Sequence, residues 1–322
     1  MLAIRIHQTG GPEVLQADDL AQPQPGRGQL RLRVEAAGVN FIDTYQRSGL
    51  YKVVLPFLPG MEAAGVVTAV GDGVTGFHVG DHVATTHAQG SYAAETIVPA
   101  THALPVPVGV AIPTAAALLA QGLTAHFLAT DTFPLKPGDL ALVHAGAGGV
   151  GLLLIQIARM RGARVIATVG SDAKVDLARE AGAEAVCVYT RENFTEAVRR
   201  FTGGRGVDVA YDSVGKQTFE GTLDSLCPRG LFVSYGNASG PVPAFAPLVL
   251  AQKGSLFLTR PTLNHYIRTP EELRARAHDL FAWLAAGTLK VRIGATFPLA
   301  AAADAHRAIE SRGTTGKVLL LP

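Results

Sequence analysis

Cysteine is nearly absent, with two residues in 322, Cys187 and Cys227. So few, so placed, exclude a disulfide framework and a cysteine-based metal site, and both read as reduced cytosolic thiols. Charge is scarce as well. Only 17% of residues are Asp, Glu, Lys or Arg, the net charge is +2, and no block of like charges occurs. The chain therefore lacks the basic stripe that nucleic acid or an anionic membrane surface demands. Between Glu95 and Asp131 charge vanishes altogether. That stretch is long enough to cross a bilayer, yet Pro99, Pro105, Pro107 and Pro113 break it, and its longest helical piece, 114–130, carries Gln121, Thr124 and His126. A buried connecting helix is expected there, without membrane insertion. The opening "MLAIRIHQTG" alternates like a short strand and has no basic start, apolar core or cleavage site of a signal peptide.

Hydrophobic residues make up 48% of the chain and glycines number 36, the composition of a globular protein with many tight turns and room for two cores. Residues 1–117 read as β-rich, with short runs such as "GQLRLRVEAAGV" and "AAGVVTAVG" between glycine turns. After Pro137 the pattern becomes strand and helix in alternation: "DLALVHA", a helix at 150–161, "RVIATV", a helix at 173–181, "AEAVCVY", a helix at 193–202, then "VDVAYDSV", "GLFVSYG" and "SLFLTR". Such alternation implies a doubly wound parallel sheet covered on both faces. Beyond Pro261 comes one amphipathic helix with a complete start signal: Thr269 as N-cap, Pro270 first in the helix and Glu272 closing a capping box. Leu273, Ala277, Leu280, Phe281 and Leu284 mark its buried face, and Gly287 ends it. This tail is too short to be a domain. It is expected to complete the β-rich region, 1–117 with 262–322, leaving 118–261 as an inserted domain.

The inserted domain opens with "LVHAGAGGVGLLLIQIAR", in which Gly146, Gly148 and Gly151 form G-x-G-x-x-G after a strand and at the start of a helix. Glycine at the first position permits the tight turn, at the second close backbone approach to a pyrophosphate, and at the third close helix–strand packing. An acid that would hold ribose hydroxyls at the end of the second strand is missing. Val169 and Gly170 stand there, followed by Ser171 and Lys174, a set that suits a 2′-phosphate and hence NADPH. Ser171 as a helix cap and Lys174 as a solvated cation is the competing reading, and Asp172 speaks for NADH.

At these residues the chain resembles a known family. Gly138, Asp139, Leu142, Gly146–Ala147, Gly148, Gly149, Gly151, Gln156 and Arg159 fall at the spacings of the quinone oxidoreductase/zeta-crystallin signature. That family is the zinc-free branch of the medium-chain dehydrogenases/reductases. The similarity continues through "AAGVNFIDTYQRSGLY", "PGMEAAGVV", "QGLTAHFL", "YDSVG", "SYGNASG", "TRPTL" and "ESRGTTGKVLLL". It implies a Rossmann domain inserted into a GroES-like catalytic domain, and a homodimer formed through "SLFLTR". Where the superfamily's zinc enzymes place cysteine and histidine, this chain has Val39 or Asn40 and Met61, and an amide and a thioether do not replace thiolate and imidazole on Zn²⁺.

The resemblance also implies site residues. Asn40, Tyr45 and Tyr51 would line the acceptor cleft as neutral donors, and Asn40 with Thr124 would lie near the nicotinamide ribose. Gly146, Ala147, Gly148, Gly149, Val150 and Gly151 would form the phosphate loop, and Gly170, Ser171 and Lys174 the 2′-phosphate site. Tyr189 would flank the adenosine, with Ser213, Tyr235 and Asn237 at strand ends. Arg260 and Leu263 would flank the return to the catalytic domain, and Arg312 would reach the cofactor phosphates. The implied activity is metal-free hydride transfer from NADPH to a quinone. The alternatives are an enone or enoyl-thioester reductase, for which Arg47 and Lys52 are the only cations in the loop, and a non-enzymatic crystallin or RNA-binding protein.

Overall fold

Short β-branched runs between glycine turns build the first third of the chain from strands. The computed structural model describes every residue from Met1 to Pro322. An antiparallel pair, β1 (Leu2–Ile6) and β2 (Leu15–Asp19), comes first. Next are β3 (Gln29–Val39), α1 (Phe41–Ser48), β4 (Glu62–Val70), β5 (His82–Thr85), β6 (Glu95–Pro99), β7 (Leu104–Pro105) and α2 (Ile112–Phe127). β3 shows the strand logic: Leu30, Leu32 and Val34 enter the core while Arg31, Arg33 and Glu35 lie toward the surface.

The period then changes to strand–helix alternation. β8 (Leu140–Val143), α3 (Gly149–Met160), β9 (Arg164–Val169), α4 (Val175–Ala181), β10 (Ala185–Val188), α5 (Phe194–Thr202), β11 (Val207–Asp212), α6 (Phe219–Ser225), β12 (Leu226–Ser234), α7 (Leu248–Gln252) and β13 (Phe257–Thr259) follow one another. All six strands are parallel, in the order β10-β9-β8-β11-β12-β13. The winding reverses between β8 and β11, which makes the carboxyl ends of the central strands a ligand crevice.

The tail consists of α8 (Pro270–Ala285), β14 (Ile293–Pro298), α9 (Ala302–Glu310) and β15 (Lys317–Leu321). β15 pairs with β3, Val318 opposite Val39 and Leu320 opposite Ala37, in a sheet ordered β14-β15-β3-β4-β5-β7 with β6 also on β3. The architecture is thus a Rossmann sheet inserted into a β-rich domain. One compact unit is discontinuous, Met1–Gln121 with Thr269–Pro322, and the inserted unit is Gly122–Arg268. The second division falls between Arg268 and Thr269, later than the expected 261, and within the intervening segment Tyr266 stacks on Phe127 of the inserted unit at 4.1 Å.

Capping and burial explain the two helices that the composition singles out. At α8, Thr269 accepts from the Glu272 N–H within a complete capping box, and Gly287 adopts a left-handed φ of 69°. Leu273, Ala277, Leu280 and Phe281 are buried, whereas Leu284 is only half-buried. The uncharged α2, extended by a π-type turn to Thr132, is long and apolar enough to span a membrane, but 78% of that window is buried within the protein.

Candidate active site

The chain leaves β8 through His144 and turns at Ala145, whose φ of 51° is left-handed. Ala145, not Gly146, therefore makes the tight turn. Gly146 is required for proximity instead, because a Cβ there would stand 2.7 Å from the Ala167 side chain. At Gly151 a Cβ would lie 2.3 Å from the Ala145 carbonyl oxygen, so only glycine lets α3 begin this close to the loop. Gly148 is the N-cap of α3, with no side-chain cap and no acidic residue in the first turn. Backbone donors at this helix end face no competing carboxylate, which fits a pyrophosphate.

The end of β9 decides the sugar. Gly170 carries no side chain, and a Cβ there would approach the Tyr189 hydroxyl to 3.0 Å. Ser171 is the extended N-cap residue of the turn at Asp172–Lys174, and its side chain makes no capping bond. Lys174 is half-buried, and desolvation lowers its pKa from the ordinary lysine value. Asp172, the residue that speaks for NADH, is bound by the Arg191 guanidinium. Sequence reasoning missed Arg191; its signal was a cation two residues after Tyr189, at the end of the neighbouring strand β10.

On the other side of the switch point, Ser213 follows β11 and Tyr235 follows β12. Their loops touch: the Ala238 N–H donates to the Ser213 carbonyl at 3.0 Å, and a Cβ on Gly236 would strike that carbonyl oxygen at 2.6 Å. Asn237 lies in this loop. The structure thus gathers the glycine loop, Gly170–Lys174, Tyr189, Ser213, Tyr235 and Asn237 at the carboxyl ends of one sheet. Thr124 lies partly exposed on α2, Arg260 exposed beyond β13, and Leu263 half-buried in a 3-10 turn. Arg312 belongs to the discontinuous unit, exposed, with φ 56°.

In that discontinuous unit, Asn40 is the extended N-cap of α1, and its backbone N–H donates to Asp43 Oδ2 at 2.8 Å. Its side chain is committed. Nδ2 donates to Glu62 Oε2 at 2.9 Å and more weakly to the Gly38 carbonyl, while Oδ1 accepts from Lys317 Nζ at 2.8 Å. Asn40 was expected to donate to an acceptor oxygen; in this conformation its hydrogens are already engaged. Lys317 also donates to Glu62, and both side chains are 0% exposed. Glu62 Oε1 in turn accepts from the Ala120 N–H at 2.6 Å. None of these charges drew attention in the sequence.

Tyr45 is buried at 9% exposure and Tyr51 is 38% exposed. Gly49, left-handed at φ 83°, turns the chain after α1 so that the two rings meet edge-on at 5.3 Å. Met61 lines a cavity of about 360 Å³ together with Gln46, Phe57, Leu58 and Gln89. An amide, a thioether and a carboxylate already paired with an ammonium do not fit Zn²⁺. Arg47 is not available as a surface cation for an acyl carrier: it is 3% exposed and forks onto Glu310.

Arg47 also begins a directed chain. It can only donate, so His306 Nδ1 accepts from it at 3.2 Å, and the imidazole proton is on Nε2. Nε2 then donates to Tyr92 Oη at 3.0 Å, and the Tyr92 hydroxyl donates to Asp43 Oδ2 at 3.0 Å. Burial, aided by Glu62, pushes the Asp43 carboxyl up to about 7, against the pull of the Asn40 N–H, Tyr92 and Lys317. Burial, aided by Arg47, pushes His306 down to about 3. The signs oppose. Asp43, raised from 3.8, contributes stability that is lost as pH rises toward 7; His306, lowered from 6.5, contributes stability that is lost as pH falls toward 3. Between roughly pH 4.5 and 6.5 the two slopes cancel. Asp43→Asn should expose the His306 slope, so that the variant loses about 1.4 kcal/mol per pH unit more than the parent on acidification through that window. Urea denaturation at stepped pH checks this, and parallel pH profiles would refute it.

Comparison with known proteins follows this geometry. The alcohol dehydrogenase GroES-like domain matches residues 26–108, and the zinc-binding dehydrogenase family matches residues 149–283. A quinone oxidoreductase of Pseudomonas aeruginosa is 46% identical over 323 residues, covering 99% of each chain. The chain belongs to the quinone oxidoreductase family. A 2-haloacrylate reductase from Burkholderia is 42% identical over 100% of this chain and 99% of its own. The crystal structure of Escherichia coli quinone oxidoreductase complexed with NADPH superposes with a TM-score of 0.98 at 43% identity, covering 100% of both chains. The zinc in the matched family's description has no counterpart in this member's donor set at Asn40 and Met61.

Proposed function

We propose that the protein is an NADPH-dependent quinone oxidoreductase, a soluble cytoplasmic homodimer that works without zinc. The end of β9 carries the reading: Gly170 stands where an acid would hold free ribose hydroxyls, Lys174 and Arg191 supply cations, and Asp172 is neutralised. When bound, NADPH supplies the hydride; with one proton, the quinone leaves as quinol. The glycine loop and the first amides of α3 hold the pyrophosphate, Gly170, Ser171, Lys174 and Arg191 the 2′-phosphate, and Tyr189 the adenosine. Thr124, Ser213, Tyr235, Asn237, Arg260, Leu263 and Arg312 complete the cofactor contacts. Phenols of Tyr45 and Tyr51 donate toward the acceptor oxygen as charge develops, and water returns the proton. The dimer forms along β13, a three-residue edge strand carrying the exposed Phe257.

NADPH should bind at least about tenfold more tightly than NADH, and Lys174→Ala with Arg191→Ala should erase the difference. Equal dissociation constants in the parent, by fluorescence quenching, would remove the 2′-phosphate site. The 2-haloacrylate reductase relative favours a second class of acceptor, conjugated carbon–carbon double bonds. An NADPH-oxidation screen across quinones, enals and 2-haloacrylates, run with a chelator present, separates the two. Reduction of double bonds alone, or loss of activity on chelation, would overturn the leading reading.

A further inference from the structure

His144 is fully buried directly after β8. Its ring bonds to Thr168 near the end of β9 and to Thr222 on α6. Thr222 Oγ1 has one hydrogen, which goes to the Thr218 carbonyl at 2.7 Å, so at 3.0 Å it must accept from His144 Nε2–H. Nδ1 is then bare and accepts from Thr168 Oγ1 at 2.9 Å. The imidazole is neutral, in one tautomer, with both nitrogens satisfied; burial lowers its pKa and keeps it so.

Each partner holds a different cofactor loop. Thr168 precedes the last residue of β9, and its carbonyl accepts the Gly146 N–H at 2.9 Å, linking the glycine loop to the strand that leads into Gly170. Thr222 reaches Asp212, the last residue of β11, through Thr218, whose carbonyl takes the Thr222 hydrogen and whose hydroxyl donates to Asp212 Oδ2 at 2.5 Å. Asp212 Oδ1 accepts from the N–H groups of Val214 and Gly215, at 2.6 and 3.0 Å, and the Asp212 carbonyl accepts the Tyr235 N–H at 2.8 Å. One imidazole therefore stands between the phosphate loop, the Gly170 turn and the Ser213 and Tyr235 loops.

We propose that His144 is a positioning residue that locks the phosphate loop and the nicotinamide-side loops in one register. The proposal rests on reading these strand ends as the NADPH site. Affinity for a ligand spanning both sets of loops then depends on His144, and affinity for a ligand held by the phosphate loop and the Gly170 turn alone does not.

The test compares NADPH with 2′,5′-ADP, which lacks the nicotinamide half, by calorimetric titration of the parent, Thr222→Val, Thr222→Ser and His144→Asn. Thr222→Val keeps the volume and removes the acceptor of Nε2–H. It should weaken NADPH about tenfold while leaving 2′,5′-ADP within about twofold. Thr222→Ser, which keeps the hydroxyl, should bind both as the parent does; His144→Asn, whose amide oxygen can replace Nδ1 for Thr168 but whose shorter side chain carries no donor to the Nε2 position, should resemble Thr222→Val. If His144→Asn fails to fold, the two Thr222 variants decide. Equal weakening of both ligands, or an unchanged NADPH affinity in Thr222→Val, would overturn the proposal. A parent that binds neither ligand would sink the NADPH reading first.

Discussion

Lys317→Met should lower the unfolding free energy by about 3–5 kcal/mol, because it leaves the Glu62 carboxylate buried without its cation. Both partners are 0% exposed, so water cannot replace the lost ammonium. Asn40 and the Ala120 N–H remain on Glu62, but neutral donors do not compensate a full charge in that setting. The double variant Lys317→Met with Glu62→Gln removes both charges and should recover most of the loss, since a buried pair is nearly neutral against uncharged residues of similar shape. Trp283, the sole tryptophan, lies on α8 in the same compact unit, so its fluorescence during urea denaturation reports the relevant core. A single-variant loss under about 1 kcal/mol would mean that the pair is not closed as described.

The double variant Tyr45→Phe with Tyr51→Phe should lower kcat about 5- to 150-fold, equivalent to about 1–3 kcal/mol of transition-state stabilisation, with little change in NADPH affinity. Asn40's amide is engaged by Glu62 and Lys317, so in the proposed mechanism the phenols are the remaining side-chain donors. The rings lie edge-on at 5.3 Å, so either hydroxyl could cover for the other and single variants should show less. Phenylalanine preserves that packing, and a parent-like rate in the folded double variant would assign both tyrosines to packing alone.

Patterns that repeat within a few residues were legible in the sequence. Strand–helix alternation from Leu140 to Thr259 announced the parallel sheet, and Thr269, Pro270 and Glu272 announced the start of α8, because caps and periodicity are local physics. Gly170 and the missing acid were legible for the same reason. Glu62 and Lys317 were not, since 255 residues separate them and each alone looks like any surface charge. Arg47, His306, Tyr92 and Asp43 escaped likewise: only the meeting of α1, α9 and the segment before β6 makes them a chain. Ala145 shows a subtler limit. Glycine count marked where the backbone is crowded, yet the left-handed turn fell on the alanine beside it.

The position of Lys317, first in the last strand, also governs how the protein is made. Glu62, Asn40 and β3 are translated early, whereas their cation is translated 255 residues after Glu62. The inserted unit, Gly122–Arg268, is contiguous and has all of its strands in hand while synthesis continues. The discontinuous unit must wait. At about 5–20 residues per second, roughly 10–40 s pass between the emergence of Gln121 and that of Lys317. Throughout that interval an uncompensated carboxylate opposes burial of β4 and the open side of β3 lacks its partner. The order of synthesis thus delays closure of the first-made unit until β15 has been translated, and a truncation removing β15 would strand that unit half-built beside a finished one.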